Sequence, residues 1–519
     1  MMRFPSSTSS LGLGVLVGSA VLTLVCGVGC SEPASGAGVG PNGGSMAGIP
    51  GASGGSGAGG AGTGMAGSAG ASLGGAGAAS GASGGGASGA PATGGAGQGG
   101  GAGAAIGGSS GGSSGGGGAS GATPGGAGQG GSSGGTAGSG GSSGSGGSPA
   151  DAAFCEPALA SAAQHYARFR TAYTDPTRIP RSAKGDAVRL VGPSDWTSGF
   201  VAGCFWYLFE HTRDASFRTA AESWTQALQS QSQRTDTHDV GFVIENTYGH
   251  GYRLTQNPAY PAVIQRAATS LRSRFNSTVG AIRSWSFGSW RYPVIIDNMM
   301  NLELLFHATK LGGSADFAAT AVTHALTTRA NHFRPDGSSF HVVDYDPATG
   351  AVIRKQTNQG LNDASAWARG QAWGLYGYTM VYRETQDARF LEQARTIADF
   401  YTRSERMPDD CVPYFDFDAP VLDNVPDHRD ASAGAIAASG LLELSGTVSG
   451  EAASRYRAFA LCTLRSLSSP AYRAALGTNS HFLLMHSVGN YPIDDEIDVA
   501  MNYADYYYLE GLMRCAAPR

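Results

Sequence analysis

The first third of this 519-residue chain has almost no charge. Between Ser31 and Pro149 the only charged side chain is Glu32, and nearly every residue is Gly, Ser, Ala or Thr. Such a composition cannot bury enough apolar surface to offset the entropy of ordering the chain. A strict Gly-X-Y pattern is also missing, which excludes a collagen helix. We therefore expect residues 31–150 to be a disordered, flexible linker.

The chain also lacks basic runs and metal-binding patterns. Its 34 Lys and Arg against 39 Asp and Glu give a formal net charge of -5, so nucleic acid is not an expected partner. There is no C-x-x-C pair and no His spacing typical of zinc. We expect no metal and no cofactor.

Five of the seven cysteines lie after the linker, in residues 151–519. An oxidising compartment would permit disulfides among them, and an odd number leaves at least one thiol unpaired. Cys204 and Cys462 lie within apolar helical patterns, which predicts that both are buried free thiols.

The first 30 residues are typical of an export signal. Arg3 precedes an apolar stretch from Leu11 to Cys26 that is short for a membrane span. The segment ends in "GVGC", and Cys30 after small residues resembles the lipobox of bacterial lipoproteins, although Gly27 stands where that motif usually has leucine. Two outcomes stay open, which are lipidation of Cys30 with anchoring to the membrane, and ordinary secretion.

Residues 151–519 are long enough for one large domain, and their periodicity is helical. The turns "TRDASF", "TQNPAY" and "TQDARF" repeat one pattern, in which Asp or Asn can cap the next helix and an aromatic residue follows three positions later. Six such helical hairpins predict an all-α, closed (α/α)6 barrel, with a β-hairpin in residues 338–357. The predicted helices span 156–173, 197–212, 215–230, 239–255, 260–275, 297–310, 314–331, 365–385, 388–404, 430–446, 451–468 and 500–514.

Two aspartates stand at predicted helix starts beside apolar residues: Asp297 in "IIDNMMNL" and Asp239 in "HDVGF". Each by itself is an ordinary helix N-cap. Together they favour chemistry, because poor solvation raises a carboxyl pKa towards a useful acid/base value. Most glycoside hydrolases use a pair of carboxylates in a cleft as their catalytic residues.

The stretch "SAWARGQAWGLYG" predicts a binding surface. Trp367 and Trp373 could stack on sugar rings, or could equally be core residues. Arg369 between them needs either solvent or an anion, and its fork suits a uronate carboxylate. His341 and Gln359 flank the hairpin, where a lone histidine is more often structural than catalytic.

Seven blocks, in order across most of residues 190–519, resemble the unsaturated glucuronyl hydrolases of glycoside hydrolase family 88. They are "DWTSGF", "HDVGF", "IIDNMMNLELL", "RPDGSSFHVV", "WARGQAWGLYGY", "PYFDFDAP" and "RDASAGAIAASGLLEL". The resemblance implies an (α/α)6 barrel that removes a 4,5-unsaturated uronic acid from the non-reducing end of lyase-generated oligosaccharides.

The resemblance also implies roles for particular residues. Asp297 matches the general acid/base of the family and Asp239 its second essential aspartate. The residues that match or adjoin positions holding the unsaturated sugar are His341, Gln359, Arg369, Trp373, His238, Trp196 and Trp367.

Two alternatives remain at this point. An unsaturated rhamnogalacturonyl hydrolase is expected to differ from this chain in the "ARGQAW" block. A surface carbohydrate-binding protein without catalysis would be expected to have lost Asp297 or Asp239, and both are present.

The leader gives the first testable prediction. If Cys30 is lipidated, cells expressing the full gene should hold the protein in the membrane fraction, and Cys30→Ser should release or misprocess it. Fractionation followed by mass spectrometry of the mature N-terminus measures this. Soluble protein cleaved at another site in both versions would rule out the lipoprotein.

Overall fold

The computed structural model describes residues 152–419 and 427–517. The predicted linker (31–150) and the leader with Cys30 lie outside the described residues. The α-helices are α1 (Cys155–Ala172), α2 (Phe200–Thr212), α3 (Ala215–Ala227), α4 (Val240–Ile244), α5 (His250–Thr255), α6 (Tyr260–Arg272), α7 (Asn298–Lys310), α8 (Ala315–Asn331), α9 (Ala368–Thr385), α10 (Ala388–Arg403), α11 (Ala431–Ser445), α12 (Gly450–Leu467) and α13 (Asn502–Ala516).

The helices form two concentric rings. Helices α2, α4, α7, α9, α11 and α13 are buried along most of their length. Together with the shorter, more exposed α5, they form a ring in which each segment contacts the next until α13 meets α2 again. The alternate helices α1, α3, α6, α8, α10 and α12 bury one face and lie outside. This closed ring confirms the predicted (α/α)6 barrel and its twelve helical segments. The segment predicted as 239–255 contains a π-helical turn, Glu245–Gly249, between α4 and α5.

The repeated turn joins inner to outer helices and has one geometry in all three copies. A threonine hydroxyl donates to the carbonyl four residues earlier and accepts the amide of the capping residue, as Thr212 does with Leu208 and Asp214. The residue between them has positive φ, and the Asp or Asn side chain accepts a backbone amide at or just before the start of the next helix. The predicted hairpin repeat is thus confirmed.

Short strands lie between outer helices and the inner helices that follow them. They are β1 (Ile179–Lys184), β2 (Ala187–Val191), β3 (Phe275–Asn276), β4 (Ala281–Ile282), β5 (Pro293–Ile295), β6 (Val342–Tyr345), β7 (Val352–Gln356), β8 (Ser487–Asn490) and β9 (Asp495–Met501). The β6–β7 pair confirms the hairpin in 338–357. The sheets β2-β1-β9-β8 and β5-β6-β7 surround the end of the barrel where the inner helices begin.

Two disulfides join distant parts of the domain. Cys155 bonds Cys515, which ties the first helix to the last, and Cys411 bonds Cys462. Cys204 is a buried free thiol, as predicted. The prediction for Cys462 is wrong, because its helix places it 5.9 Å, Cα to Cα, from a cysteine 51 residues away in sequence.

Candidate active site

The candidate site lies where the inner helices begin. Asp239 precedes α4, Asp297 precedes α7, Trp367 and Arg369 open α9, and Asp430 precedes α11. The loops and sheets that connect outer to inner helices cover the same end. The fold therefore collects side chains that are far apart in sequence into one place.

Asp297 is not a capping residue in the usual sense. Its backbone is already helical, and its side chain accepts no amide of α7. By contrast, the carboxylate of Asp214 accepts the Ser216 amide at 2.8 Å and caps α3. Asp239 likewise makes no capping bond to α4. Both site carboxylates thus lie at helix starts but do not accept hydrogen bonds from the helix amides.

The environment of Asp297 keeps it protonated at mildly acidic pH. The residue is 8% exposed, and burial raises the pKa of its carboxyl from 3.8 to about 7. The positive charge of Arg369 and a hydrogen bond from Trp373 oppose this rise in the pKa, while the negative charge of Asp239 adds to it. A carboxyl group with a pKa near the working pH suits general acid catalysis.

His341 faces Asp297 from the start of β6. Its Nδ1 accepts the backbone amides of Asn358 at 3.1 Å and Gln359 at 3.3 Å, so the neutral ring carries its hydrogen on Nε2. That Nε2 lies 3.6 Å from Asp297 Oδ2, which is too long for a hydrogen bond. Burial, followed by the charge of Arg369, holds the pKa of His341 well below its usual value. The ring is therefore a neutral donor beside the acid.

His238 and Asp239 form a second close pair beside Asp297. The Nδ1 of His238 lies 2.8 Å from the Ser284 carbonyl, which can only accept, so this nitrogen carries a hydrogen. The Nε2 of His238 lies 3.1 Å from Asp239 Oδ1, and Thr237 donates to the other carboxylate oxygen at 2.9 Å. Burial lowers the pKa of His238, and the charge of Asp239 opposes that shift.

Arg369 is held by protein groups on both of its Nη atoms. The guanidinium is fully buried between the rings of Trp367 and Tyr503 rather than between two tryptophans. Its Nη1 pairs with Asp430 Oδ2 at 3.1 Å and also donates to the Val488 carbonyl, and its Nη2 donates to the Gly489 carbonyl at 2.7 Å. Protein groups occupy both Nη atoms in this structure, and the predicted fork onto a substrate carboxylate stays a prediction. The sequence predicted that Arg369 needs solvent or an anion, and in this structure the anion is Asp430.

The other predicted site residues also lie in this region. Gln359 donates from Nε2 to the Gly489 carbonyl at 3.1 Å. The ring of Trp367 lies 4.4 Å, centroid to centroid, from that of His341. Trp373 is fully buried and packs on Phe242, which also contacts Trp196. The structure thus brings all the predicted site residues of the described domain to one end of the barrel.

Sequence reasoning missed the residues that hold this site. Asp430 both caps α11 and pairs with Arg369. Asp416 accepts the Leu361 amide and the Ser365 hydroxyl, which fixes the loop after Gln359. Asp430 lies in "RDASAG" and Asp416 in "PYFDFDAP", two of the sequence blocks that resemble family 88. Their roles could not be predicted, because their partners are distant in sequence. No cluster of three or more potential metal ligands occurs among residues 152–419 and 427–517.

Four buried polar atoms of the predicted site residues lack a hydrogen-bond partner in the described part of the chain. They are Asp297 Oδ2, His341 Nε2, Arg369 Nε and His238 Nε2, whose 3.1 Å approach to Asp239 Oδ1 does not form a hydrogen bond. Buried polar atoms normally have partners, so these four are available to a polar ligand or water.

Comparisons with known proteins agree with this geometry. The sequence profile of Glycosyl Hydrolase Family 88 matches residues 174–444. The chain belongs to glycoside hydrolase family 88. An unsaturated glucuronyl hydrolase of Formosa agariphila is 45% identical over 341 residues, which are 65% of this chain and 84% of the relative. One from Bacillus sp. is 33% identical over 65% of this chain and 90% of its own length.

A solved structure gives the same result for the fold. The crystal structure of an unsaturated glucuronyl hydrolase specific for heparin is 46% identical and matches with a TM-score of 0.68. The match covers 70% of this chain and 97% of that structure. The family 88 chain is therefore a glycoside hydrolase with an (α/α)6 barrel. No helix in the described parts of the chain is long and apolar enough to cross a membrane.

The raised pKa of Asp297 predicts a pH-dependent effect on stability. Its pKa is 3.8 as an ordinary carboxyl and about 7 in the fold, so between these values only the folded state binds the proton. Wild-type stability should fall with rising pH relative to Asp297→Asn, which has no proton to lose. The gap in unfolding free energy, taken as wild type minus Asp297→Asn, should fall by on the order of 2 kcal/mol from about pH 5 to pH 7, measured by urea unfolding. A gap that does not change with pH would contradict the burial of an ionisable carboxyl at this position.

Proposed function

We propose that this chain is an unsaturated glucuronyl hydrolase that removes a 4,5-unsaturated uronate from the non-reducing end of lyase-generated oligosaccharides. The observation that carries the proposal is the buried Asp297, with a pKa of about 7, facing the free donor of His341. Membership of family 88 and the names of the relatives support it.

The reaction is the hydration of a vinyl ether rather than displacement at the anomeric carbon. Asp297 donates its proton to C4 of the C4=C5 bond, and positive charge develops at C5 and the ring oxygen. Water adds at C5 and returns a proton to Asp297, which gives a hemiketal. The bond from C5 to the ring oxygen then breaks, and the C1 hemiacetal that results releases the aglycone.

The surrounding groups fit this sequence of steps. Neutral His341 can donate from Nε2 to a substrate oxygen without competing for the proton of Asp297. Asp239, next to His238, supplies negative charge that raises the pKa of Asp297 and can hold a hydroxyl of the substrate. Trp196, Trp367 and Trp373 enclose the site with rings, which exclude water and suit the faces of a sugar.

Arg369 acts in this proposal as a positioning residue. Its bonds to Asp430 and to the Val488 and Gly489 carbonyls hold β8 against the starts of α9 and α11. Gln359 binds the same Gly489 carbonyl, so the two residues fix one wall together. The positive ends of the inner helices converge here and favour the carboxylate of a uronate.

The sugar on the aglycone side, which the enzyme binds next to the unsaturated uronate, is still to be identified. The solved relative at 46% identity is specific for heparin, so an unsaturated heparin disaccharide is the first substrate to test. Chondroitin, hyaluronan, gellan and xanthan fragments complete the panel. Loss of the ultraviolet absorbance of the unsaturated uronate measures turnover for all of them.

We further propose that the enzyme works outside the cytoplasm, either secreted or anchored at the cell envelope. The export pattern of residues 1–30 and the lipobox-like Cys30 support this localisation. The disulfides Cys155–Cys515 and Cys411–Cys462 also support it, because such bonds persist in oxidising compartments. A linker of residues 31–150 would let the barrel reach oligosaccharides at a distance from an anchor.

The role of Asp297 is tested by turnover. Asp297→Asn should lower kcat/KM by about 10² to 10⁴ while the substrate still binds, because it removes positioned proton transfer only. Wild-type kcat/KM should fall as pH rises through about 7, where Asp297 loses its proton. Kinetics on the best substrate of the panel measures both effects.

A matched control is Asp214→Asn, at the start of the outer helix α3, where Asn caps as well as Asp. This variant should keep wild-type turnover. Near-normal turnover of Asp297→Asn on every substrate of the panel would remove Asp297 from its proposed role.

A further inference from the structure

Three of the four aromatic residues in the loop between β4 and β5 lie together, and the catalytic chemistry does not use them. In "RSWSFGSWRY", residues 283–292, they are Trp285, Phe287 and Trp290. The rings of Trp285 and Phe287 are stacked, with centroids 5.2 Å apart and planes at 14°. Trp290 meets Trp285 edge to face at 5.3 Å. The three form one cluster, here named the aromatic loop.

The aromatic loop adjoins the candidate active site. The residue before Trp285 is Ser284, whose carbonyl lies 2.8 Å from Nδ1 of His238, the neighbour of Asp239. Trp285 packs on Ile295, two residues before Asp297, and on Val342, which follows His341. The loop is therefore fixed at its base to the same strands and residues that hold the catalytic groups.

The loop is anchored at its base and open at its tip. Trp285 is buried, and Trp290 donates from Nε1 to Gln356 Oε1 at 3.0 Å. Phe287 is 63% exposed, more than any other large aromatic residue in the described ranges. Trp285 covers one face of its ring. Phe287 is not an isolated surface residue, because it is the exposed end of a cluster of three rings, and a contiguous exposed apolar surface marks a place where a ligand binds.

We infer that the exposed Phe287 is a platform for the aglycone side of the oligosaccharide, beyond the sugar that is linked to the unsaturated uronate. Pyranose rings have apolar faces that pack on aromatic rings, and the occupant is the rest of the substrate chain leaving the site. Phe287 would then set how strongly the enzyme prefers longer oligosaccharides over disaccharides. This inference rests on the proposed function.

The test compares Phe287→Ala with wild type on an unsaturated disaccharide and a tetrasaccharide of the same polysaccharide. Loss of one stacking contact should lower kcat/KM on the tetrasaccharide by about three- to ten-fold, mainly through KM. Turnover of the disaccharide, which does not reach Phe287, should stay within about two-fold. Phe287→Trp should keep the wild-type kcat/KM on the tetrasaccharide, because it retains an aromatic face. Leu476→Ala is a matched control, since that exposed apolar side chain lies on the loop after α12.

The outcomes separate the inference from the proposed function. If wild type cleaves the disaccharide and Phe287→Ala leaves the tetrasaccharide-to-disaccharide ratio of kcat/KM unchanged, the platform is wrong. An equal loss on both substrates would also overturn it, because the effect would then be on the loop as a whole. Absence of wild-type turnover on every unsaturated oligosaccharide would instead contradict the proposed function.

Discussion

The active-site end of the barrel depends on one buried ion pair, between Arg369 and Asp430. Arg369 belongs to α9, Asp430 caps α11, and the same guanidinium binds the carbonyls of β8. Removing either partner would leave an uncompensated buried charge, which typically costs about 3 to 5 kcal/mol. The pair therefore joins two inner helices and a strand that are separated by many residues in the chain.

The same guanidinium sets the balance of charge at Asp297. Burial raises the pKa of this carboxyl and the positive charge of Arg369 lowers it, with the result near 7. Without the charge of Arg369 the acid would hold its proton more tightly and be a weaker donor. With a more exposed carboxyl the proton would be lost well below neutral pH. The site thus combines a poorly solvated acid with a nearby cation that limits the shift.

Much of the fold could be predicted because its signals are local. The Thr-x-Asp/Asn turns mark three of the inner-to-outer connections through hydrogen bonds within a few residues, and helical periodicity predicts the remaining helices. The two aspartates stood out because apolar neighbours surround them in sequence as well as in space. The partner of Arg369 and the disulfide of Cys462 could not be predicted in this way. Both depend on residues that are 61 and 51 positions distant and that only the closed barrel brings near.

Strands β1, β2, β8 and β9 were missed for a related reason. Strand β9 has positive φ at Glu496 and Asp498, so its side chains do not alternate in a regular pattern. It pairs with β1, Ser182 opposite Met501, although the two strands lie near opposite ends of the domain sequence. The role of the aromatic loop likewise depends on the contact of Ser284 with His238, which no local pattern contains.

The most direct test of this balance is an infrared titration of the Asp297 carboxyl, taken as the difference between wild type and Asp297→Asn. A protonated carboxyl that loses its proton at a pKa of about 7 is the expected result. A carboxyl that is already ionised above its ordinary pKa of 3.8 would contradict the assignment of Asp297 as a buried general acid.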